Sequence, residues 1–187
     1  SGLRSQPTRC ALIPCARIAP RISSTFASPR VCTTNSICAR STDNDVNAMV
    51  VGERAAHYPT VDDLLFIKVG TGIGAGIFAN GRILRGVDGS AGDIGHIRAD
   101  VTSEDPAPLC KCGQLGCVEA YAGGWAILRD LVDAGRTVTA VDQVVSAVQQ
   151  GDPLAIQLVR EAGRVLGSSV ADAVGLLNPA VIVIGGQ

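Results

Sequence analysis

Three cysteines fall within eight residues of one another, at Cys110, Cys112 and Cys117, in the stretch C-K-C-G-Q-L-G-C-V-E. His96 lies upstream of them, across a loop. Three thiolates and one imidazole form the donor set of a closed, tetrahedral structural zinc site. Glycines between the thiols allow the tight backbone that such a site needs. The alternative is a set of free thiols or a disulfide; the local density of the thiols favours zinc.

Two carboxylates flank this cluster. Glu119 follows the last thiol by two residues, and Asp93 precedes His96 by three in A-G-D-I-G-H. Carboxylates fixed by a rigid loop accept hydrogen bonds at defined angles, which suits the paired hydroxyl groups of a sugar. Taken singly, each acid is also compatible with a solvent-exposed loop or a helix N-cap.

A glycine-rich stretch, G-T-G-I-G-A-G at 70–76, offers backbone N–H groups to phosphate oxygens, with the Thr71 hydroxyl beside them. Tight hairpins often contain similar glycines, so this stretch alone does not define a phosphate site. Asn44 and Asp45 stand at the start of a predicted helix. An acid in that place can accept a proton from a substrate hydroxyl during phosphoryl transfer, or it can simply cap the helix.

The spacing of apolar residues predicts the elements that position these groups, in a chain of the α/β class. Strands are predicted at 64–69, 77–79, 82–85 and 181–184, and helices from Asp43 or Asn44 onward and at 126–134, 141–149 and 154–177. Asn80-Gly81 is a hairpin signal, and Gly185-Gly186 follows the last strand. A hairpin directly after the glycines argues against a dinucleotide-binding unit, in which a helix would follow.

Composition excludes several classes of function. The net charge of -1 gives no general attraction to nucleic acid or to a membrane surface. The hydrophobic fraction is 47%, yet no apolar run approaches the roughly 18 residues of a membrane span. Reduced zinc thiols and the lack of a secretory signal predict a cytoplasmic protein.

The first 42 residues differ from the rest of the chain. They hold six Arg and no Lys, Asp or Glu, together with four of the seven Cys. The remaining ten basic and seventeen acidic residues give the rest a charge of -7. This segment has no regular apolar period and is not expected to supply strands. It fits a transit peptide, a basic nucleic-acid-binding arm, or a stretch foreign to the protein, introduced by a shifted reading frame or start.

From Asp43 to the C-terminus, the motifs occur in one order: D-N-D-V-N-A, V-G-T-G-I-G-A-G-I, G-S-A-G-D-I-G-H-I, C-K-C-G-Q-L-G-C-V-E-A-Y and L-N-P-A-V-I-V-I-G-G. This series resembles the ROK family of repressors, open reading frames and sugar kinases. The resemblance implies an actin-like ATPase (ribonuclease H-like) fold over 43–187, truncated at both ends, with a zinc-stapled sugar-binding loop.

The resemblance also implies roles for single residues. Asp45 matches the catalytic base that takes a proton from the sugar. Sugar-contacting positions match Asn44, Asp93, His96 and Glu119. The second phosphate loop matches Gly70, Thr71 and Gly72, and the turn near adenosine matches Gly185 and Gly186. The zinc ligands match His96, Cys110, Cys112 and Cys117.

Two functions follow from this resemblance. One is an ATP- and Mg²⁺-dependent hexose kinase; the other is a sugar-responsive transcriptional regulator, which binds DNA if the intact protein carries a helix-turn-helix. Asp93 stands where the kinases usually have Glu, and the first phosphate loop is missing from 1–42. We therefore expect no efficient catalysis by this chain. The family commonly forms homo-oligomers, so the resemblance implies that the intact protein is also a homo-oligomer.

Overall fold

The computed structural model describes residues 44–102 and 106–186, together with the backbone of Arg9–Leu12. The strands are β1 (Arg9–Leu12), β2 (Leu64–Val69), β3 (Ile73–Ala79), β4 (Arg82–Ile83) and β5 (Val181–Gly185). The helices are α1 (Asp45–His57), α2 (Val118–Ala122), α3 (Gly124–Asp133), α4 (Val141–Gln149) and α5 (Pro153–Leu177), and a 3₁₀ turn spans Ile94–His96.

The five strands form one mixed sheet in the order β1-β5-β2-β3-β4. β5 lies parallel to β1 and to β2, whereas β2, β3 and β4 are antiparallel neighbours. β2 is apolar on both faces because both are covered. Leu64 and Phe66 pack with α1, and Leu65 and Ile67 pack with the cluster formed by α2 to α5. A sheet covered on both sides confirms the predicted α/β class.

The segment 1–42 is described only at β1. Contrary to the expectation of no strand there, the backbone of Arg9–Leu12 pairs with Val181–Ile184. The short apolar run C-A-L is enough to extend the free parallel edge of β5 by four residues. The interpretation of 1–42 as a leader, an arm or a foreign stretch otherwise lies outside the described residues and stays a prediction.

The loop formed by the glycine-rich stretch is shorter than the 70–76 that the sequence predicted. β3 begins at Ile73, so Gly74 and Gly76 belong to a strand. The missing side chain of Gly76 makes room for α1, since a Cβ there would lie 2.8 Å from the Val46 carbonyl oxygen. Gly76 therefore serves helix-to-sheet packing, and only 70–72 forms the hairpin loop between β2 and β3.

The predicted hairpin turn at Asn80-Gly81 is confirmed. Both residues have positive φ, 51° and 74°, as a two-residue type I′ turn requires. The returning strand is shorter than predicted, because β4 covers only Arg82–Ile83 before the chain leaves the sheet. The segment that follows carries Asp93 back across β3.

The long helix α5 covers one face of the sheet. Asp152 caps it by accepting hydrogen bonds from the N–H groups of Leu154 and Ala155, and Pro153 occupies its first turn. The Arg136 guanidinium, hydrogen-bonded to Asp152, holds the pKa of that carboxyl below its usual value. Among the helices in the described part of the chain, none combines the length and apolarity that crossing a membrane requires.

Candidate functional site

The N-terminus of α1 brings two of the predicted residues to one point. Asn44 is the N-cap, as one of the two predicted alternatives had it, and its Oδ1 accepts the N–H of Asn47 at 2.9 Å. Asp45 begins the helix, and its Oδ2 accepts a hydrogen bond from the Lys68 ammonium on β2. Lys68 is the one charged residue in the apolar strand L-L-F-I-K-V, directly before the glycine loop.

The Glu119 carboxylate is held through both of its oxygens. Oε2 accepts the backbone N–H of Ile73 at 2.9 Å, and Oε1 accepts the indole N–H of Trp125 at 3.1 Å. Gly72 and Gly95 leave the space that this carboxylate occupies, since a Cβ at either would approach Oε2 closely. Glu119 therefore has a fixed orientation beside the loop between β2 and β3.

Asp93 reaches the same place from the loop after β4. Its neighbour Gly92 has a φ of 96°, and the Gly92 carbonyl accepts the N–H of Ala75 at 2.7 Å. A Cβ on Gly92 would overlap the Ala75 carbonyl oxygen, so only glycine allows this loop to lie on β3. The loop is thereby anchored next to the residue that carries the acid.

These groups surround a cavity of about 350 Å³. It is lined by Asn44, Asp45, Val46, Lys68, Gly72, Ile73, Gly74, Gly89, Ser90, Gly92, Asp93 and Glu119. A larger cavity, of about 500 Å³, lies between α3 and α5 beside Asp100 and Thr102, and its lining includes none of the predicted site residues. Convergence of fixed polar groups, more than volume, marks a binding site, so the smaller cavity is the candidate.

The thiol cluster lies at the start of α2, the helix that carries Glu119. One donor atom from each of His96, Cys110, Cys112 and Cys117 lies within 4.8 Å of the others. The Cys112 and Cys117 sulfurs are 3.6 Å apart, and the Cys110 sulfur is 3.5 Å from His96 Nδ1. Ligands at about 2.0–2.3 Å from a tetrahedral ion are separated by about 3.5–3.8 Å, which these two distances match, and three thiols with one imidazole are a donor type that zinc prefers.

Two thiols of the cluster differ in their tendency to ionise. Burial raises the pKa of the Cys117 thiol to about 12, and the neighbouring Cys112 and Cys110 thiols add to the rise. A hydrogen bond from the Gln114 backbone lowers the pKa of Cys112. Burial thus favours the protonated form of the Cys117 thiol, and a dication binding to it would displace that proton, which makes metal binding dependent on pH.

The loop 70–72 turns its carbonyl groups toward α3. The Gly70 carbonyl accepts the N–H of Gly124 at 2.8 Å, and the Thr71 carbonyl accepts the N–H of Trp125 at 3.2 Å. In a trans peptide the N–H points opposite to the carbonyl. The N–H groups of Thr71 and Gly72 therefore point away from α3, whereas the Gly70 N–H is used within the loop by the Gly72 carbonyl at 3.0 Å.

The predicted glycines of the last strand lie at the same edge of the sheet. Gly185 is in register with Lys68, at the carboxyl ends of the parallel strands β5 and β2. Gly186 lies against the Val69 backbone so closely that a Cβ would overlap the Val69 carbonyl oxygen. Ligands of α/β proteins commonly bind at this edge of a sheet.

The structure brings Asn44, Asp45, Asp93 and Glu119 together around the cavity, with Gly72 at its wall. His96 lies with the thiols instead, and Gly70, Thr71, Gly185 and Gly186 do not line the cavity. Sequence reasoning missed Lys68, although a lone charge in a buried strand next to a glycine loop is a visible signal. It also missed Trp125, whose contact with Glu119 follows from the turn between α2 and α3.

A mixed sheet covered by helices, with polar groups and glycine turns collected at one edge, fits a protein of the actin-like ATPase fold. The chain belongs to the ROK family, whose sequence profile matches residues 34–187. The match begins nine residues before Asp43, where the motifs start.

Relatives of this chain include both enzymes and regulators. It is 39% identical over 160 residues to a glucokinase of Halalkalibacterium halodurans, covering 77% of this chain and 47% of that protein. It is 34% identical over 157 residues to the DNA-binding transcriptional dual regulator NagC of Escherichia coli, covering 77% of this chain and 37% of that protein.

The crystal structure of a ROK hexokinase from Thermus thermophilus is similar, with a TM-score of 0.68 and 36% identity over 78% of this chain and 48% of the hexokinase chain. The chain thus spans about half the length, or less, of these relatives.

Proposed function

We propose that the chain binds a monosaccharide in the cavity between α1, the loop 70–72 and the loop 89–93. The observation that carries this proposal is the convergence of three carboxylates and one amide, from Asn44, Asp45, Asp93 and Glu119, on one cavity of about 350 Å³. Fixed acceptors at several angles match the several hydroxyl donors of one sugar ring. The similarity to a glucokinase and to a ROK hexokinase supports the same class of ligand.

The thiol cluster, in this proposal, holds a structural zinc ion through His96, Cys110, Cys112 and Cys117. The mutual distances of the four donors support zinc, and no fifth position is needed for chemistry. A bound zinc ion would supply four bonds that tie the 3₁₀ turn after Asp93 to the start of α2. Asp93 and Glu119, two of the three acids of the cavity, would then be held from one fixed point.

We infer that the sugar acts as an effector of a transcriptional regulator. The supporting observation is the ion pair between Asp45 and Lys68. A catalytic base needs a carboxylate oxygen free to accept the proton of the sugar hydroxyl. The Lys68 ammonium competes for one of those two oxygens, which favours binding over phosphoryl transfer. DNA would be bound by a part of the intact protein outside the sugar site.

A hexose kinase is the second candidate, and the loop 70–72 favours it. Two successive N–H groups, on Thr71 and Gly72, point away from α3 and can both donate hydrogen bonds to a phosphate oxygen. Asp45 would then act as the base, with ATP and Mg²⁺ on the side of Gly185 and Gly186. This arrangement retains the chemistry that a kinase requires.

Binding of D-glucose or N-acetyl-D-glucosamine is the first test of the proposal, measured by isothermal titration calorimetry. Glu119→Ala is expected to weaken binding roughly 100-fold, because it removes charged acceptors from the sugar hydroxyls. Glu161→Ala removes an exposed acid of α5 and is the charge-matched control, expected to bind like the wild type. Equal affinity of all three proteins would place the sugar elsewhere and contradict the proposal.

Sugar-dependent release of ADP from Mg²⁺-ATP separates the two candidates. We expect the wild-type chain to release ADP no faster than Asp45→Asn does, because Asp45 is engaged by Lys68. Both proteins should still bind the sugar. Turnover by the wild type that Asp45→Asn abolishes would overturn the effector proposal and establish Asp45 as a catalytic base.

A further inference from the structure

Trp125 connects the proposed sugar carboxylate with the thiol cluster. It is the single tryptophan of the chain and the second residue of α3. We propose that Trp125 is a positioning residue, which orients the Glu119 carboxylate for the sugar and ties that orientation to the loop of the thiol cluster. This inference rests on the proposed sugar binding at Glu119 and goes beyond it by assigning what sets the geometry of that acid.

The hydrogen bonds of Glu119 leave room for a ligand. A carboxylate offers about four lone-pair positions. One on Oε1 is taken by the Trp125 indole N–H at 3.1 Å and one on Oε2 by the Ile73 N–H at 2.9 Å. One position on each oxygen remains, aligned by two donors on different elements. Two adjacent sugar hydroxyls can therefore donate to one carboxylate whose rotation is already fixed.

The indole ring is itself held by two cations. The Lys111 ammonium lies 4.8 Å from the ring centroid, and the Arg129 guanidinium lies 5.3 Å from it. Arg129 is fixed in turn by Asp130 Oδ1 at 2.7 Å and by the Ala120 carbonyl at 3.2 Å. Cation–π attraction on the ring keeps the N–H directed at Glu119.

Lys111 gives the ring its link to the cluster, because it stands between Cys110 and Cys112 in the sequence. Any change in the backbone of this segment moves the ammonium relative to the indole. Ordering of the thiols by a metal ion would therefore change the position of the Trp125 ring and, through its N–H, the orientation of the Glu119 carboxylate. From Lys111 onward the path runs over two side-chain contacts, 4.8 Å from the ammonium to the ring centroid and 3.1 Å from the indole N–H to the acid.

Trp125→Phe tests the positioning role, since it removes the N–H donor and keeps an aromatic ring near the two cations. We expect about tenfold weaker binding of D-glucose or N-acetyl-D-glucosamine, as for loss of one charge-assisted hydrogen bond. Tyr121→Phe, which removes the hydroxyl group from an aromatic residue of α2 that does not line the candidate cavity, should bind like the wild type. Thermal unfolding of both variants checks that they fold.

A double-mutant cycle tests whether Trp125 affects sugar binding through Glu119 or through the stability of the surrounding structure. In a Glu119→Gln background, Trp125→Phe should weaken sugar binding about twofold or less, because the acid through which Trp125 acts is already altered. An equal loss in both backgrounds would overturn the inference. If the wild type binds neither sugar, the proposed function fails; if it binds and Trp125→Phe binds equally well, the positioning role alone fails.

The link to the cluster has a separate readout that needs no sugar. Adding Zn²⁺ to the metal-stripped wild type should shift the fluorescence of the single tryptophan. Lys111→Ala, which keeps all four donors, should bind Zn²⁺ with a much smaller shift. Zinc uptake by the wild type with unchanged emission would show that the ring does not sense the cluster, and would overturn this part of the inference.

Discussion

Cys117→Ser is expected to abolish zinc binding and to weaken sugar binding at least 100-fold. Cys117 is 1% exposed, lies 3.6 Å from the Cys112 sulfur and directly precedes α2, which carries Glu119. A serine hydroxyl is a poor replacement for a thiolate ligand, and a structural zinc site stabilises the fold through its ligands. Losing one of four donors therefore releases the loop that positions the acid.

Zinc content per chain, measured by plasma mass spectrometry, checks this expectation, together with calorimetry for the sugar. The free energy of unfolding should fall by about 3 kcal/mol or more, as for loss of a metal site. Cys38→Ser makes the same chemical change outside the C-x-C-x4-C motif and should retain both zinc and sugar. One zinc ion per chain in purified Cys117→Ser would contradict the assignment of the ligand.

Gly92→Ala is expected to have the second large effect, a loss of about 3–5 kcal/mol in the free energy of unfolding. Gly92 has a φ of 96°, which disfavours any side chain, and a Cβ would overlap the Ala75 carbonyl oxygen on β3. The loop must then lift from the strand, carrying Asp93 away from the cavity. Sugar affinity should fall together with stability.

Gly89→Ala separates the two causes, because Gly89 shares the loop and has a similar φ of 77°, yet a Cβ there meets nothing within 4 Å. Gly89→Ala should lower the free energy of unfolding by only about 1–2 kcal/mol, the penalty for a side chain in the left-handed backbone region. Urea denaturation of both variants gives the comparison. Equal losses at the two positions would mean that the contact with β3 contributes nothing.

Most of the fold could be predicted from local pattern. β2 and β5 follow from short apolar runs, the turn at Asn80-Gly81 from its residue types, and α5 from its apolar period and the Asn178-Pro179 stop. Such features are encoded within a few residues. Membership of the ROK family, expected from the order of the motifs, is confirmed by the profile match over 34–187.

The predictions from sequence failed where contacts between residues far apart in the chain determine the structure. Gly74 and Gly76 have the composition of a loop but lie in β3, where Gly76 allows the close approach of α1. β1 has too little local signal and exists only as an addition to the edge of β5. The ion pair of Lys68 with Asp45 joins residues on different elements, so no spacing along the chain predicts it.

The candidate site likewise has features that the local sequence predicts and features that it does not. The grouping of His96, Cys110, Cys112 and Cys117 could be predicted because three of them lie within one short loop, and the mutual distances within 4.8 Å confirm their proximity. Their role as zinc ligands stays a prediction. The roles of Asn44, Asp45, Asp93 and Glu119 toward a sugar stay predictions, although the four residues do meet at one cavity. Trp125 was not predictable, because its orientation depends on two cations and on the loop 70–72.

The position of β5 in the sheet has a consequence for how the protein folds. β2 pairs with β3 through a three-residue loop, but with β5 only after more than a hundred intervening residues. The local hairpin should therefore form early and the parallel pairing late, since closing a long loop is entropically costly. During synthesis every residue of the candidate site emerges before β5, while the apolar edge of β2 stays unpaired. That interval is when the chain is most exposed to edge-to-edge aggregation, and when a metal ion could first order the loop.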